Sequence, residues 1–569
     1  MTRLHARIAG LGRPATAFVS QPEPRSIGHF AKGKQLLAGN YLFAGDLVEA
    51  KRGQGIWSLA PPSLAFEEDA HGFVWLDDLA AVGDVEARKL AQDWTFEWIA
   101  RYGTGTGIGW SPDLTGRRLI RWINHALFLL SGKGEMSPEF FRSLGRQTRF
   151  LARRWSSTTL GLPRIEALTG LIYAGLSLTG MERYVPTAIA ALGRACEVQI
   201  DRDGGLATRN PEELLEIFTL LNWAALALRE ADKAPAKAHE AAIERAAPVL
   251  RTLRHADGGL ARFHGGGRGL EGRLDSALAI SGIKPEATRD AAMGYTRQAC
   301  GRTSIIMDAA PPPKGAVSIN AHASTLAFEL TSGRRPLVVS CGSGAAFGDD
   351  WRRAGRATPS HSTLTLEGYS SSRLGAARRM GGRARELLTD TPKEVLRQRS
   401  QSETALRQQA SHDGWRATHG LIHVRNLELS LDGRGLAGED LLVVLNARDK
   451  ARFEGLLDQG GMQGLPFTVR FHLHPDVDAA QDMGGAAVSL ALRSGEIWVF
   501  RHDGQAQLSL EPSVYLDRAR IRPRGAEQIV LSGRALAETT CIRWSLAKAQ
   551  ETPLSVRDVR RDDPTLTED

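Results

Sequence analysis

The chain is poor in several features that would each name a class of protein. Its 569 residues include only four cysteines, Cys196, Cys300, Cys341 and Cys541, widely separated and without a CxxC pair. That spacing excludes a disulfide framework and a zinc ribbon. No window holds eighteen continuous apolar residues, so a transmembrane helix is not expected. The opening MTRLHARIAGLGRPATAFVSQ is basic but has no apolar core and no cleavage signature, so no export signal is recognisable. No P-loop, zinc finger or RNA-binding signature stands beside the formal charge of +8, and nucleic acid is not expected as a partner. No sequence repeat is strong enough to name a repeat family.

What is present divides into two periods. From about Asp78 to His255, apolar residues recur at three- and four-residue spacing. Helices are expected near 87–102, 117–131, 138–154, 164–180, 185–201, 211–231 and 236–254, with Pro211 before Glu212 and Glu213 as a helix start. Helices at intervals of about 25 residues with short links fit pairs curling into a solenoid or ring. From about Gly294 the period becomes two. Phe467, Val469, Phe471 and Leu473 share one face of a strand; Thr468, Arg470, His472 and His474 share the other. Strands are also expected at 303–308, 324–331, 336–340, 362–367, 421–429, 441–446, 487–493, 496–502, 507–515, 528–532 and 540–546, and 370–412 reads as hairpins or a surface loop. Many strands without helical crossovers make an antiparallel sandwich.

The fold expected is therefore multidomain, α plus all-β. An irregular cover spans 1–80, an α/α toroid (an incomplete barrel) spans 80–285, a β-sandwich spans 290–550, and a polar tail spans 551–569. The tryptophans of the cover, with Trp94, Trp98 and Trp122, are candidates either for stacking on sugar rings or for core packing.

Chemistry concentrates in Ser318–Gly368. His322 and His361 each precede a short alternating apolar run, with the strand 336–340 between them. Adjacent strand ends could bring both imidazoles to one rim, where they would serve proton transfer, metal ligation or simply structure. Arginines cluster at Arg334–Arg335, Arg352–Arg353–Arg356 and Arg373–Arg385, which suits an acidic glycan or plain solubility. Asn210 before Pro211 is a helix cap or the mouth of an anion site. His412, His419 and His423 read as surface hairpin histidines, and His264 as a flexible-loop histidine.

Several of these pieces together resemble the heparinase II/III-like polysaccharide lyases. They are the His322–Leu330 strand, the Leu-Val-Val-x-x-Gly strand at 337–342, His361-Ser-Thr-Leu364, Asp203-Gly204-Gly205 with Arg209-Asn210-Pro211, and the run from His412-Asp413-Gly414 to Gly438-Glu439-Asp440. The resemblance implies a toroid followed by a β-sandwich, with an acidic polysaccharide or oligosaccharide bound in the cleft between them. It also implies a carbon–oxygen lyase that cleaves a uronic-acid-containing glycan by β-elimination. Such a reaction needs a group to neutralise the uronate carboxylate, a base for the C5 proton and an acid for the leaving oxygen. Carried over, Asn210 and Arg209 would neutralise the carboxylate and His322 and His361 would move protons, while Asn320, Glu213 and Arg356 would contact substrate. Tyr295 and Tyr369 are further candidate bases that no motif places.

The chain departs from the family pattern at several positions. Asn320 stands where the family has its first His, and Glu213 where it has the catalytic Tyr. The family's Asn-Asn-His run is missing before the helix starting at Arg164. A family zinc site maps onto His322 and His361, but its Asp position is Ser340, leaving Cys341 or His472 to complete a structural zinc. These departures define the alternative: a catalytically degenerate glycan-binding or cell-envelope accessory protein of the same fold. The family resemblance favours the cell envelope or periplasm; the missing signal leaves the cytoplasm open.

Overall fold

The computed structural model describes residues 2–51, 54–132, 137–285, 289–380, 383–518 and 520–549; the tail at 551–569 lies outside the described residues. The chain forms two compact units. One comprises the described residues up to Leu206, with Glu213–Pro248 and Gly272–Pro285. The other comprises Ala207–Glu212, Val249–Glu271 and the described residues after Pro285.

The first unit is helical. Val85–Tyr102, Pro138–Arg154, Leu162–Ser177, Val185–Gln199, Pro211–Glu230 and Lys237–Thr252 fall where the apolar periodicity puts them. The helix expected at 117–131 is instead Pro112–Asn124 followed by Ala126–Leu130, broken at His125, whose ring binds Asp77 at 2.8 Å. Residues 1–80 are not an irregular cover. They hold the helices Thr2–Gly10, Phe30–Leu37 and Leu64–Gly72, and a hairpin of Asn40–Phe43 with Asp46–Glu49. The tryptophans resolve as core: Trp57, Trp75, Trp94, Trp98 and Trp122 are all buried. Each large side chain removed from water in this way contributes roughly 1.5–3 kcal/mol. Even a cation is drawn in, for the Arg118 guanidinium lies 4.0 Å over the Trp98 ring and donates to Gln147, to the His71 carbonyl and to the Gly109 carbonyl.

The second unit holds two antiparallel sheets. One runs Gln507–Tyr515, Arg524–Ala535, Leu465–Leu473, Arg335–Val339, Phe328–Ser332, Thr303–Asp308, Tyr295–Cys300 and Ala291–Ala292, with Leu364–Leu366 also paired to Leu465–Leu473. The other runs Val395–Gln401, Ala405–Trp415, Leu421–Ser430, Gly435–Val443, Thr539–Lys548, Ile497–His502, Ala487–Leu492 and Val477–Asp482. Their inner faces share one core: Phe328 of the first stacks on Trp544 of the second at 5.7 Å, and Phe471 meets Phe500. As its alternation requires, Leu465–Leu473 buries Phe467, Val469, Phe471 and Leu473. Segment 370–412 is built of hairpins, Arg378–Met380 with Arg383–Arg385 and Val395–Gln401 with Ala405–Trp415. The helix Ala447–Gln459 was not expected; its N-cap Asn446 accepts from Asp449 N at 3.0 Å.

Candidate functional site

In the first of the two sheets a group of ionisable side chains lies near the ends of Thr303–Asp308, Phe328–Ser332 and Arg335–Val339. Asp308, at the last position of its strand, is fully buried. Arg209 Nη2 donates to its Oδ1, Ser324 Oγ donates to Oδ2 at 2.7 Å, and His264 Nε2 lies 3.4 Å from Oδ2. Burial pushes this carboxyl up, but the Arg209 charge and then His264 outweigh it and hold it well below the usual carboxylate range.

The loop Phe263-His264-Gly265-Gly266-Gly267 is tightly held, not flexible. Gly265 has φ +87°, and a Cβ there would lie 2.9 Å from Asn320 Cβ; a Cβ at Gly266 would lie 2.4 Å from Asn210 Oδ1. Gly267 N donates to Glu212 Oε2 at 2.7 Å. Two glycines thus let Asn210 and Asn320 close on either side of the loop. Below it, His264 Nδ1 accepts from His322 N at 3.1 Å, which leaves Nε2 to carry the proton towards Asp308. The His322 ring lies 5.1 Å from the His361 ring, and His361 Nδ1 meets Ser340 Oγ at 3.0 Å. Four of the ten described non-glycine residues with positive φ lie in this neighbourhood: Arg209, His264, Met293 and Leu326. Backbone held in that region stores strain that the surrounding contacts must offset.

The structure brings His322, His361, Asn210, Arg209 and Asn320 to one neighbourhood, but in unequal roles. Both imidazoles are buried, at 2% and 0% exposure. Burial lowers His361 to about 3, and burial together with the His361 charge keeps His322 far below its ordinary value. His322 Nδ1 and His361 Nε2 have no hydrogen-bond partner among the described residues. Arg209 spends every N–H it has: Nε on the Met293 carbonyl, Nη1 on Ala310 and Pro311, Nη2 on Gly294 and Asp308. It has none left for a substrate carboxylate and acts as a staple. Arg356 is another staple; it is buried and donates to the Ala321, Glu386 and Ser318 carbonyls, which fixes the turn carrying Asn320. Asn210 caps its helix by accepting from Glu212 N at 3.0 Å, and it stays half-buried, while Asn320 is exposed. Glu213 belongs to the helical unit, where its carboxylate lies against Gly161.

Tyr295 is sealed in the core with its hydroxyl donating to the Arg209 carbonyl, and burial raises it well above its ordinary value. Tyr369 is exposed and packs edge-on to His419. The zinc ligand set does not fit: Ser340 supplies a hydroxyl in place of the carboxylate, and Cys341 is engaged with His472 at 3.5 Å. Among the described residues no three His, Cys, Asp or Glu side chains come close enough to hold a metal. Burial raises the Cys341 thiol, but its contact with His472 overrides this and holds it below its ordinary value.

The surface reading of His412, His419 and His423 is also corrected. All three are buried. His423 Nε2 binds Asp440 Oδ1 at 2.7 Å, Arg425 binds both oxygens of Asp440, and Trp544 Nε1 donates to Oδ2 at 2.9 Å. Arg425 Nη1 reaches the Leu326 and Ser362 carbonyls, so this second network supports the backbone beside His361. The sequence reading missed the parts of Asp308 and His264. The one signal for His264 was the run of three glycines after it.

Residues 284–545 match the family described as heparinase II/III-like, C-terminal. The chain is 31% identical over 556 residues to the FtsZ-localized protein C of Caulobacter vibrioides, covering 96% of this chain and 92% of that one. Among solved structures, heparinase III has a TM-score of 0.68 at 14% identity, with 95% and 88% of the two chains covered. A mutant of the heparan sulfate lyase HepC from Pedobacter heparinus has a TM-score of 0.58 at 14% identity, covering 96% and 88%. These two likenesses are of fold: a helical toroid and an antiparallel β-sandwich. The chain belongs to the heparinase II/III-like family.

Proposed function

We propose that this protein binds an acidic, uronate-containing glycan without eliminating it, as an accessory of the cell envelope that localises with FtsZ. One observation carries the reading: the groups that elimination would need are enclosed or committed. His361 is buried and lowered to about 3, Tyr295 is sealed, and all five Arg209 N–H groups are bonded within the protein. A general base must reach its proton within about 3 Å or through one water. What stays accessible at the site is Asn320, whose exposed amide suits hydrogen bonds to a carboxylate or a sugar hydroxyl. The localisation with FtsZ is supported by the 31% identity, over nearly the whole chain, to a protein named for that localisation.

A second reading, β-elimination of the same glycan, is favoured by the partnerless nitrogens of the neighbouring His322 and His361 rings. Incubation with a panel of uronate polymers separates the two. The first reading expects saturable binding with no absorbance from a 4,5-unsaturated uronate. Unsaturated product from the wild-type chain, lost in His361→Ala, would establish the second.

A further inference from the structure

The helix Thr2–Gly10 is amphipathic in the wrong sense for a helix that merely covers a core. Its small residues, Ala6 and Ala9, are fully buried, whereas its large apolar residues face outward. Leu4, Ile8 and Leu11 are 60%, 38% and 86% exposed. At i, i+4 and i+7 they form one stripe on the helix and its last turn, where Leu11 N donates to the Ile8 carbonyl at 3.1 Å. The buried side is fixed: a Cβ at Gly105 would lie 2.5 Å from Ala6 Cβ, and Arg149 Nε donates to the Ala9 carbonyl at 2.6 Å. The stripe therefore cannot turn inward without breaking the packing of the alanines.

Basic residues flank it. Arg3 and Arg7 are exposed on one flank of the stripe and Arg13 follows it, and the sequence has no Asp or Glu before Glu23. The helix Pro138–Arg154, against which Thr2–Gly10 packs, adds exposed Arg142 and Arg153 against a single exposed acid, Glu139. A protein partner with an apolar groove would satisfy the leucines alone. An anionic bilayer satisfies both features, because the apolar stripe enters the headgroup boundary while the arginines meet lipid phosphates. We propose that this face is a peripheral docking surface for anionic membrane, with Leu4, Ile8 and Leu11 as the inserted residues. The inference is independent of the glycan reading.

The test is co-sedimentation of the full chain with vesicles of phosphatidylcholine alone and with vesicles rich in phosphatidylglycerol. The wild-type chain is expected to pellet with the anionic vesicles only, less so as salt rises. Leu4→Asp with Leu11→Asp is expected to lower the partition at least about tenfold, as is Arg3→Glu with Arg7→Glu, which also flattens the salt dependence. All four residues are exposed, so the thermal unfolding of both variants should match wild type. A wild-type chain that leaves anionic vesicles unbound would overturn the proposal. So would equal binding to both vesicle types, or full binding by the Leu4/Leu11 variant.

Discussion

Asp308 and Asp440 lie fully buried in the same unit, and each is held by an arginine and a histidine, yet they reach that state by different routes. The arginine and histidine that hold Asp440 are near in sequence, Arg425 fifteen and His423 seventeen residues away, on the neighbouring strand with Arg425 directly opposite in register. Asp308 draws Arg209 from ninety-nine residues away and His264 from a glycine-rich loop. Register alone builds the first network. Long-range closure builds the second, with strained backbone at Arg209, His264, Met293 and Leu326. Polar clusters of identical chemistry can thus be built by strand register or by long-range closure, and residue type alone does not distinguish them.

Removing the carboxylate from either network should give the largest effects. Asp440→Ala leaves Arg425, His423 and the Trp544 indole without their acceptor, and a loss of about 3–5 kcal/mol is expected in chemical denaturation. Asp308→Ala should fall at the lower end of that range, because Arg209 keeps four carbonyl partners. If Asp308→Ala costs much more than Asp440→Ala, the ranking drawn here is wrong.

The histidines sharpen the comparison through pH. His361 is lowered to about 3 in the fold by burial, against about 6.5 when unfolded. The unfolded chain therefore binds the extra proton, and stability present above about pH 6.5 falls as the pH drops towards 3. Between pH 7 and pH 5 this group should cost about 2 kcal/mol, and His361→Gln should lose that part of the slope. Parallel denaturation curves for wild type and variant across this window would argue that the ring titrates normally.

Gly265→Ala tests whether the loop depends on its left-handed residue. It should cost roughly 1–2 kcal/mol, since a Cβ at φ +87° both strains the backbone and meets Asn320. The smallest effect on stability belongs to Asn320→Ala, whose exposed amide should leave unfolding unchanged while weakening glycan binding by about tenfold. Titration calorimetry with a uronate oligosaccharide reads that change.

Much of the fold was legible because it follows from periodicity. The helices from Val85 to Thr252 and most strands of the sandwich lie where apolar spacing puts them. The burial of His423 and Arg425 was legible too, since both alternate in phase with Leu421, Leu427 and Leu429, which are buried. The surface reading of the three histidines set aside a period of two that already pointed His423 inward. Arg209 was not legible in this way. Its partners are carbonyls at 293, 294, 310 and 311, and no local pattern records an interaction made across that distance. The site residues could be named by resemblance, but whether each was free or spent depended on contacts that only the folded chain displays.

The enclosure of the two imidazoles is tested most directly by following the ring resonances of His322 and His361 in isotope-labelled protein as the pH falls. The account predicts that both rings stay neutral through pH 5 and take up protons only as the chain unfolds. A reversible titration of either ring near its ordinary pKa of about 6.5, in folded protein, would contradict it.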